Sequence, residues 1–206
     1  MTSNNAKLFV IAAPSGAGKT TLVKALVKRN PELKFSISYT TRQKRRTEVD
    51  GVDYLFVDVE EFERLKQQGE LLEFAEVFDN FYATSRGQVE KHLAEGQNVI
   101  LEIDWQGAQQ VRKSMPECIT IFILPPTLDE LERRLRDRRT DSPEVIERRL
   151  RDALRDMAHW DEFDYVIIND RLEQAVTDLE GVLEGRGTSC ACTNVGLRRV
   201  ISRIIG

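Results

Sequence analysis

The sequence predicts an α/β domain of three layers, with a parallel central sheet covered by helices on both faces. Short aliphatic runs alternate with longer segments of helical period. Leu8–Ala12 precedes Thr20–Arg29, Val99–Ile103 precedes Trp105–Lys113, Ile119–Leu124 precedes Leu128–Arg138, and Val166–Ile168 precedes Leu172–Leu183. The aliphatic runs barely alternate with polar residues, which suits strands buried on both faces and joined by helical crossovers. The 206 residues are 41% hydrophobic and 31% charged, a size and balance that support one compact core.

The first strand–helix pair encloses "APSGAGKTT", Ala13 to Thr21. A P-loop reads Gly-x-x-x-x-Gly-Lys-Ser/Thr between a strand and a helix. Here Ala13 stands at the first position, which requires only a small residue, and Pro14, Ser15, Gly16, Ala17, Gly18, Lys19 and Thr20 follow. Gly16 and Gly18 let main-chain N–H groups converge on oxyanions, Lys19 neutralises the β/γ-phosphates, and the helix start adds its positive end. Thr20 can hold Mg²⁺ through its hydroxyl. These residues predict a nucleoside triphosphate site.

From Phe35 to Thr84 the rhythm changes. "FSISYTTR", "DYLFV" and "LLEFAEV" read as short strands around a helix near Glu60–Gln68, a smaller and partly antiparallel lobe inserted in the chain. Within it Arg42, Lys44, Arg45 and Arg46 cluster beside Ser38, Tyr39, Thr40 and Thr41, with Tyr54 downstream. Such clusters are commonly solvated or bind nucleic acid, yet the chain as a whole carries a formal charge of −4. Arginine forks with hydroxyl and phenol donors suit a phosphate monoester.

"VILEIDWQG" ends a strand with Glu102 and Asp104 on one face, at the end that faces the ligand crevice of a parallel sheet. They either order water around Mg²⁺ or contact nucleotide and arginines, and an N-cap role for Asp104 is compatible with both. Eight arginines lie between Glu132 and Asp152. Glu132–Arg136, Glu144–Arg148 and Glu147–Arg151 have the i,i+4 spacing of solvated helix pairs. Thr140-Asp141-Ser142-Pro143 joins two helices there, with Ser142 as a cap and Pro143 at the first helical position.

After Gly185 the turn-rich "GRGTSCACTNVG" reads as a mobile link to a last helix, Leu197–Ile205. The apolar face of that helix (Leu197, Val200, Ile201, Ile204) either meets a partner subunit, giving a homo-oligomer, or docks on its own chain. Leu8–Ala13 is too short for a signal segment or a membrane span. Three cysteines are too few for a disulfide framework, and Cys190 with Cys192 lacks a second ligand pair for zinc. A reduced cytoplasmic protein with no membrane and no nucleic-acid partner is the expectation.

Taken together, "APSGAGKT", "FSISYTTRQKRRTEVDGVDYLFV", "LLEFAEVFDNFYATS", "ILEIDWQG", "RRLRDRRTDSPEVIERRL" and "VIIND" resemble guanylate kinase, the P-loop family that phosphorylates GMP; the resemblance runs from Lys7 to about Asp178. It implies a P-loop nucleoside monophosphate kinase-like fold with an inserted small α+β lobe and a helical lid. The core would comprise residues 1–34, 86–125 and 151–185, the GMP-binding lobe 35–85, the lid 126–150 and the tail 186–206, as a single folded unit. ATP and GMP would be substrates, dGMP a further acceptor, and Mg²⁺ the cofactor.

Carried over by residue, the resemblance implies that Ser38, Arg42, Arg45, Tyr54 and Tyr82 surround the GMP phosphate. Glu73 and Thr84 would read guanine, and Asp104 would also face GMP. Guanine offers N1–H and its 2-amino group to one carboxylate, and O6 to a hydroxyl, whereas adenine presents an acceptor at N1. Read alone, Glu73 is a surface residue of an edge strand. Lys19, Arg42, Arg134, Arg138 and Arg149 would carry the phosphoryl transfer, with Thr20 and either Glu102 or Asp104 at the metal. The ATP site would comprise Ala13 to Thr21 and Asn169, which otherwise reads as a strand-end turn residue. The family usually has Gly where this chain has Arg139. Because the nucleophile is already an oxyanion, no general base is needed, and His92 and His159 read as structural. Interaction modules that share this fold lose the catalytic residues, whereas the P-loop and both arginine sets are present here.

Overall fold

The computed structural model describes residues 6–77, 79–137 and 143–206. The chain divides into two compact units, one of Met1–Val10, Pro31–Leu101 and Gln106–Cys118, the other of Ile11–Asn30, Glu102–Trp105 and Ile119–Gly206. In chain order the elements begin with β1 (Leu8–Ala12), α1 (Lys19–Arg29), β2 (Lys34–Phe35), β3 (Tyr39–Thr40), β4 (Leu55–Phe56), α2 (Val59–Gln67), β5 (Leu71–Val77), β6 (Asn80–Ser85) and α3 (Arg86–Ala94). They continue with β7 (Val99–Glu102), α4 (Trp105–Ser114), β8 (Ile119–Leu124), α5 (Leu128–Arg136), α6 (Pro143–Met157), β9 (Tyr165–Ile168), α7 (Leu172–Leu183) and α8 (Val195–Ile205).

The larger sheet has the order β2-β7-β1-β8-β9, and its β2/β7 and β8/β9 pairs are parallel. All five β1 residues are buried, as are five of the six in β8, which is why both read as continuous aliphatic runs. In the second unit α1 buries Leu22, Val23 and Leu26, and α7 buries Ala175, Val176, Leu179 and Val182. Arg29 hydrogen-bonds Glu173, and Asn30 Nδ2 donates to Glu180 at 3.1 Å, which ties the end of α1 to α7.

The smaller sheet lies within the first unit, in the order β4-β3-β6-β5. It is mixed: β3/β6 and β5/β6 are antiparallel, β3/β4 parallel. Phe62 and Leu65 of α2 close its core with Leu71 and Ala83, and Tyr39, Val57 and Phe81 pack on them. Asp58 caps α2 by accepting from Glu61 N at 2.8 Å.

Two local expectations are corrected, and one strand was not foreseen. "FSISYTTR" is not one strand: Phe35 pairs with Ile100 in the larger sheet, whereas Tyr39 and Thr40 belong to the smaller one. The residues between leave one sheet and enter the other, a change that an extended run does not advertise. The strand β6 had no separate expectation. The segment after Gly185 is packed rather than a mobile link. A Cβ on Gly187 would meet Val182 Cγ2 at 2.6 Å, and Cys192 N donates to Asp164 O at 2.9 Å. Burial raises the pKa of both the Cys190 and Cys192 thiols. In α8, Ile201 and Ile204 are buried against their own chain, while Val200 is exposed. Pro143 opens α6 as expected, and its expected cap Ser142 lies outside the described residues. Among the described residues no helix is long and apolar enough to cross a membrane.

Candidate active site

The loop after β1 is held in shape by contacts that its own sequence does not contain. Gly16 and Gly18 have φ of 89° and 87°, values that favour glycine. A Cβ on Gly16 would meet Leu131 Cδ1 and Leu135 Cγ at 2.9 Å, and one on Gly18 would meet Asn169 Nδ2 at 2.6 Å. Gly18 is the N-cap of α1 with no side-chain cap bond, and no acidic residue occupies the first turn, so the positive end of the helix carries no carboxylate of its own. Ala17 O accepts Asn169 Nδ2 at 2.8 Å and Arg134 Nη1 at 3.3 Å. Lys19 Nζ donates to Ile103 O at 2.5 Å. Pro14 and Ala17 are buried, Ala13 and Ser15 are half-buried, and Thr20 and Thr21 are exposed.

Thr20 Oγ1 donates to Glu102 Oε1, so the expected metal hydroxyl and one expected carboxylate are together. This pair is a hard oxygen donor set, which fits Mg²⁺ when waters and substrate phosphates complete the shell. Asp104 is half-buried at the start of α4. The next residue, Trp105, donates from Nε1 to Asp156 Oδ1 at 3.0 Å and stacks on His159 with centroids 3.5 Å apart. Burial, opposed by the Trp105 hydrogen bond, pushes the Asp156 carboxyl up to about 6. His159 also contacts Glu162 at 2.6 Å, and His92 contacts Gln97 at 2.7 Å, so both histidines have local structural partners.

Arg134 is bound on three sides. Nε donates to Glu130 Oε1 at 2.7 Å, Nη2 to Asn169 O at 3.0 Å, and Nη1 to the loop carbonyl of Ala17. Hydrogen bonds from Arg133 and Arg134 hold the Glu130 carboxyl at about 2. Arg149 is half-buried on α6, and Arg138 lies outside the described residues. Arg136 pairs with Glu132 at 2.6 Å and Arg151 with Glu147 at 4.0 Å, as the spacing predicts.

In the first unit, Arg42, Tyr54 and Tyr82 come together. Arg42 Nε donates to Tyr82 Oη at 3.3 Å, and its guanidinium lies 5.4 Å from the Tyr54 ring centroid. Glu48 had no expected role. It accepts Arg42 Nη2 at 2.8 Å, Arg42 Nη1 at 3.1 Å and the backbone N of Arg45 at 2.8 Å. The Arg42 hydrogen bond holds the Glu48 carboxyl below the usual carboxylate range, and Glu48 in turn raises Arg42. Its signal was an acid among bases, six residues after one arginine and three after another. Arg45 and its neighbours Lys44 and Arg46 are exposed, and Ser38 is half-buried.

Glu73 and Thr84 are 3% and 1% exposed, and Thr84 Oγ1 donates to Glu73 Oε1 at 2.7 Å. A β-bulge produces this pairing. Leu71 lies opposite Ser85 but Glu73 lies opposite Thr84, so β5 advances two residues while β6 advances one. Without the extra residue Leu72 would oppose Thr84. A buried carboxylate beside a hydroxyl is a rigid, paired hydrogen-bonding edge, and a surface position for Glu73 is excluded.

Residues 5–186 match the sequence model of the guanylate kinase family. The chain is 48% identical over 206 residues to a guanylate kinase of Pseudomonas fluorescens, covering 100% of both chains. It is 52% identical over 198 residues to one of Dechloromonas aromatica, covering 96% of this chain and 98% of the relative. Among solved structures, guanylate kinase from Anaplasma phagocytophilum superposes with a TM-score of 0.74 at 34% identity, covering 98% of this chain and 96% of the other.

Proposed function

The chain belongs to the guanylate kinase family, and from that premise we propose how its residues divide the work of the enzyme. As a guanylate kinase it transfers the γ-phosphoryl group of ATP to GMP, giving ADP and GDP. The observation that carries the reading is the buried Glu73–Thr84 pair, whose hydrogen bond is 2.7 Å. Glu73 accepts from N1–H and the 2-amino group of guanine, and the single Thr84 hydroxyl proton, given to Glu73 in this structure, turns to O6 when the base is bound. Adenine would place its N1 acceptor against the carboxylate and offer it no 2-amino donor, a polar mismatch that discriminates strongly.

The GMP phosphate is held by Arg42, Arg45, Tyr54, Tyr82 and Ser38. Three of the five, Arg42, Tyr54 and Tyr82, are already assembled around the guanidinium, which supports the assignment. Asp104 also faces GMP. The triphosphate of ATP lies in the loop of residues 13–21, on the main-chain N–H groups that follow Pro14, with Lys19 on the β/γ-phosphates and Asn169 on the adenine side. Asn169 and Arg134 also brace the loop through Ala17 O. Arg134, Arg138 and Arg149 neutralise the charge that spreads over the transferring group. Residues 35–85 act as the GMP-binding lobe and 126–150 as the lid.

Thr20 would hold Mg²⁺, with Glu102 or Asp104 oriented toward its waters. When bound, Mg²⁺ supplies positive charge to the β- and γ-phosphate oxygens. The attacking oxygen belongs to the GMP phosphate and is already anionic, so no side chain need remove a proton. The protein contributes alignment, charge and exclusion of water, which would otherwise accept the phosphoryl group. The buried thiols of Cys118, Cys190 and Cys192 suit a reducing compartment, and we place the enzyme in the cytoplasm.

Coupled measurement of ADP formation with GMP, dGMP, AMP and UMP tests this function. Turnover with GMP and dGMP and little with AMP or UMP is expected. Equal turnover with AMP would overturn guanine reading.

A further inference from the structure

Strand β5 is the outer strand of the smaller sheet, paired on one side with β6. It also contains the bulge that sets Glu73 opposite Thr84. A bulge interrupts the ladder locally, and an edge strand has no second neighbour to hold its register. One residue beyond Glu73, a side chain supplies what the missing strand would. Gln110, on α4 in the same compact unit, accepts from Phe74 N at 3.1 Å and donates from Nε2 to Phe74 O at 2.7 Å. An amide has one acceptor and one donor at the separation that a strand's own N–H and C=O require. The Phe74 ring is held too, with Lys66 Nζ 4.7 Å from its centroid.

We propose that Gln110 is a specificity-determining positioning residue: its amide clamps the Phe74 backbone and thereby keeps the Glu73 carboxylate aligned with Thr84 for guanine. Gln110 itself need not touch the substrate. If β5 lost its bulge and paired one residue out of step, Glu73 would move to the opposite face of the sheet and Leu72 would face Thr84. The two Gln110 bonds oppose that slip at the first residue after the reader. This proposal rests on the reading of Glu73 and Thr84 as the guanine contacts.

The test compares wild type, Gln110→Ala, Gln110→Glu and Glu73→Gln, with kcat/KM measured for GMP and for AMP. Gln110→Ala is expected to lower the GMP-to-AMP ratio by about fivefold, through KM for GMP, with KM for ATP unchanged. Gln110→Glu keeps an acceptor for Phe74 N but loses the donor to Phe74 O, so its ratio is expected between those of wild type and Gln110→Ala. A variant that merely folds poorly loses active enzyme and scales both acceptors alike, which leaves the ratio unmoved and counts against the proposal. If Glu73→Gln lowers the ratio and neither Gln110 variant does, the positioning role is overturned while guanine reading stands. If Glu73→Gln also leaves the ratio unchanged, guanine reading itself is wrong.

Discussion

Glu48 accepts both terminal nitrogens of Arg42, at 2.8 and 3.1 Å, and so fixes the plane of the guanidinium that we assign to the GMP phosphate. It also accepts the backbone N–H of Arg45 at 2.8 Å, so one carboxylate orders both arginines of that site. Two guanidinium groups held close would otherwise repel, and a flexible fork would lose entropy on capturing the phosphate. Glu48→Gln is therefore expected to raise KM for GMP by about threefold to tenfold, with KM for ATP unchanged. Initial rates at saturating ATP measure it, and an unchanged or lower KM would show that Glu48 competes with the phosphate instead of preparing its site.

The same pair makes stability depend on pH. The Arg42 hydrogen bond lowers the Glu48 carboxyl from its ordinary value of 4.5, so the unfolded chain takes up this proton more readily than the folded one. Glu48 therefore contributes stability that is fully present above pH 4.5 and is lost as pH falls through the lower folded value. Melting curves of wild type and Glu48→Gln are expected to differ at pH 7 and to converge on acidification below pH 4.5. A gap that widens as pH falls would contradict the sign.

Asn169 bears on the proposed triphosphate site through the loop backbone. Its amide donates 2.8 Å to Ala17 O, and the same amide nitrogen lies 2.6 Å from where a Cβ on Gly18 would stand. Asn169→Ala removes the shorter of the two described bonds to that carbonyl and is expected to cost about 1–2 kcal/mol of stability. It is also expected to raise KM for ATP. Gly18→Ala meets the same amide at a φ of 87° and should lose more ATP affinity than Asn169→Ala. Thermal melts and ATP titrations check both, and wild-type behaviour in Gly18→Ala would mean that the loop is not held in this shape.

What could be read in advance follows the range of the interactions. The β1–loop–α1 segment was legible because its strand, turn and helix are contiguous and two of its glycines take positive φ. The bracing of Ala17 O by Arg134 and Asn169 was not, since those partners lie 117 and 152 residues away. Glu73 and Thr84 could be named from a resemblance, but their alignment comes from a bulge, which is a property of two strands together and not of "LLEFAEV". Glu48 was hidden for the opposite reason: in a basic cluster the acid draws less notice than the arginines it orders. The tail misled through composition, because its small and polar residues resemble a linker, whereas Gly187, Cys190 and Cys192 are small for the sake of close packing.

We propose that two anion sites of different construction cooperate, a main-chain cradle with Lys19 for ATP and an arginine–phenol cluster for the GMP phosphate. The most direct test measures turnover and GMP affinity on one preparation of Lys19→Ala, by ADP formation and by calorimetry. A fall in kcat of at least about a hundredfold is expected, with the dissociation constant for GMP within about twofold of wild type. Wild-type turnover in Lys19→Ala would contradict it.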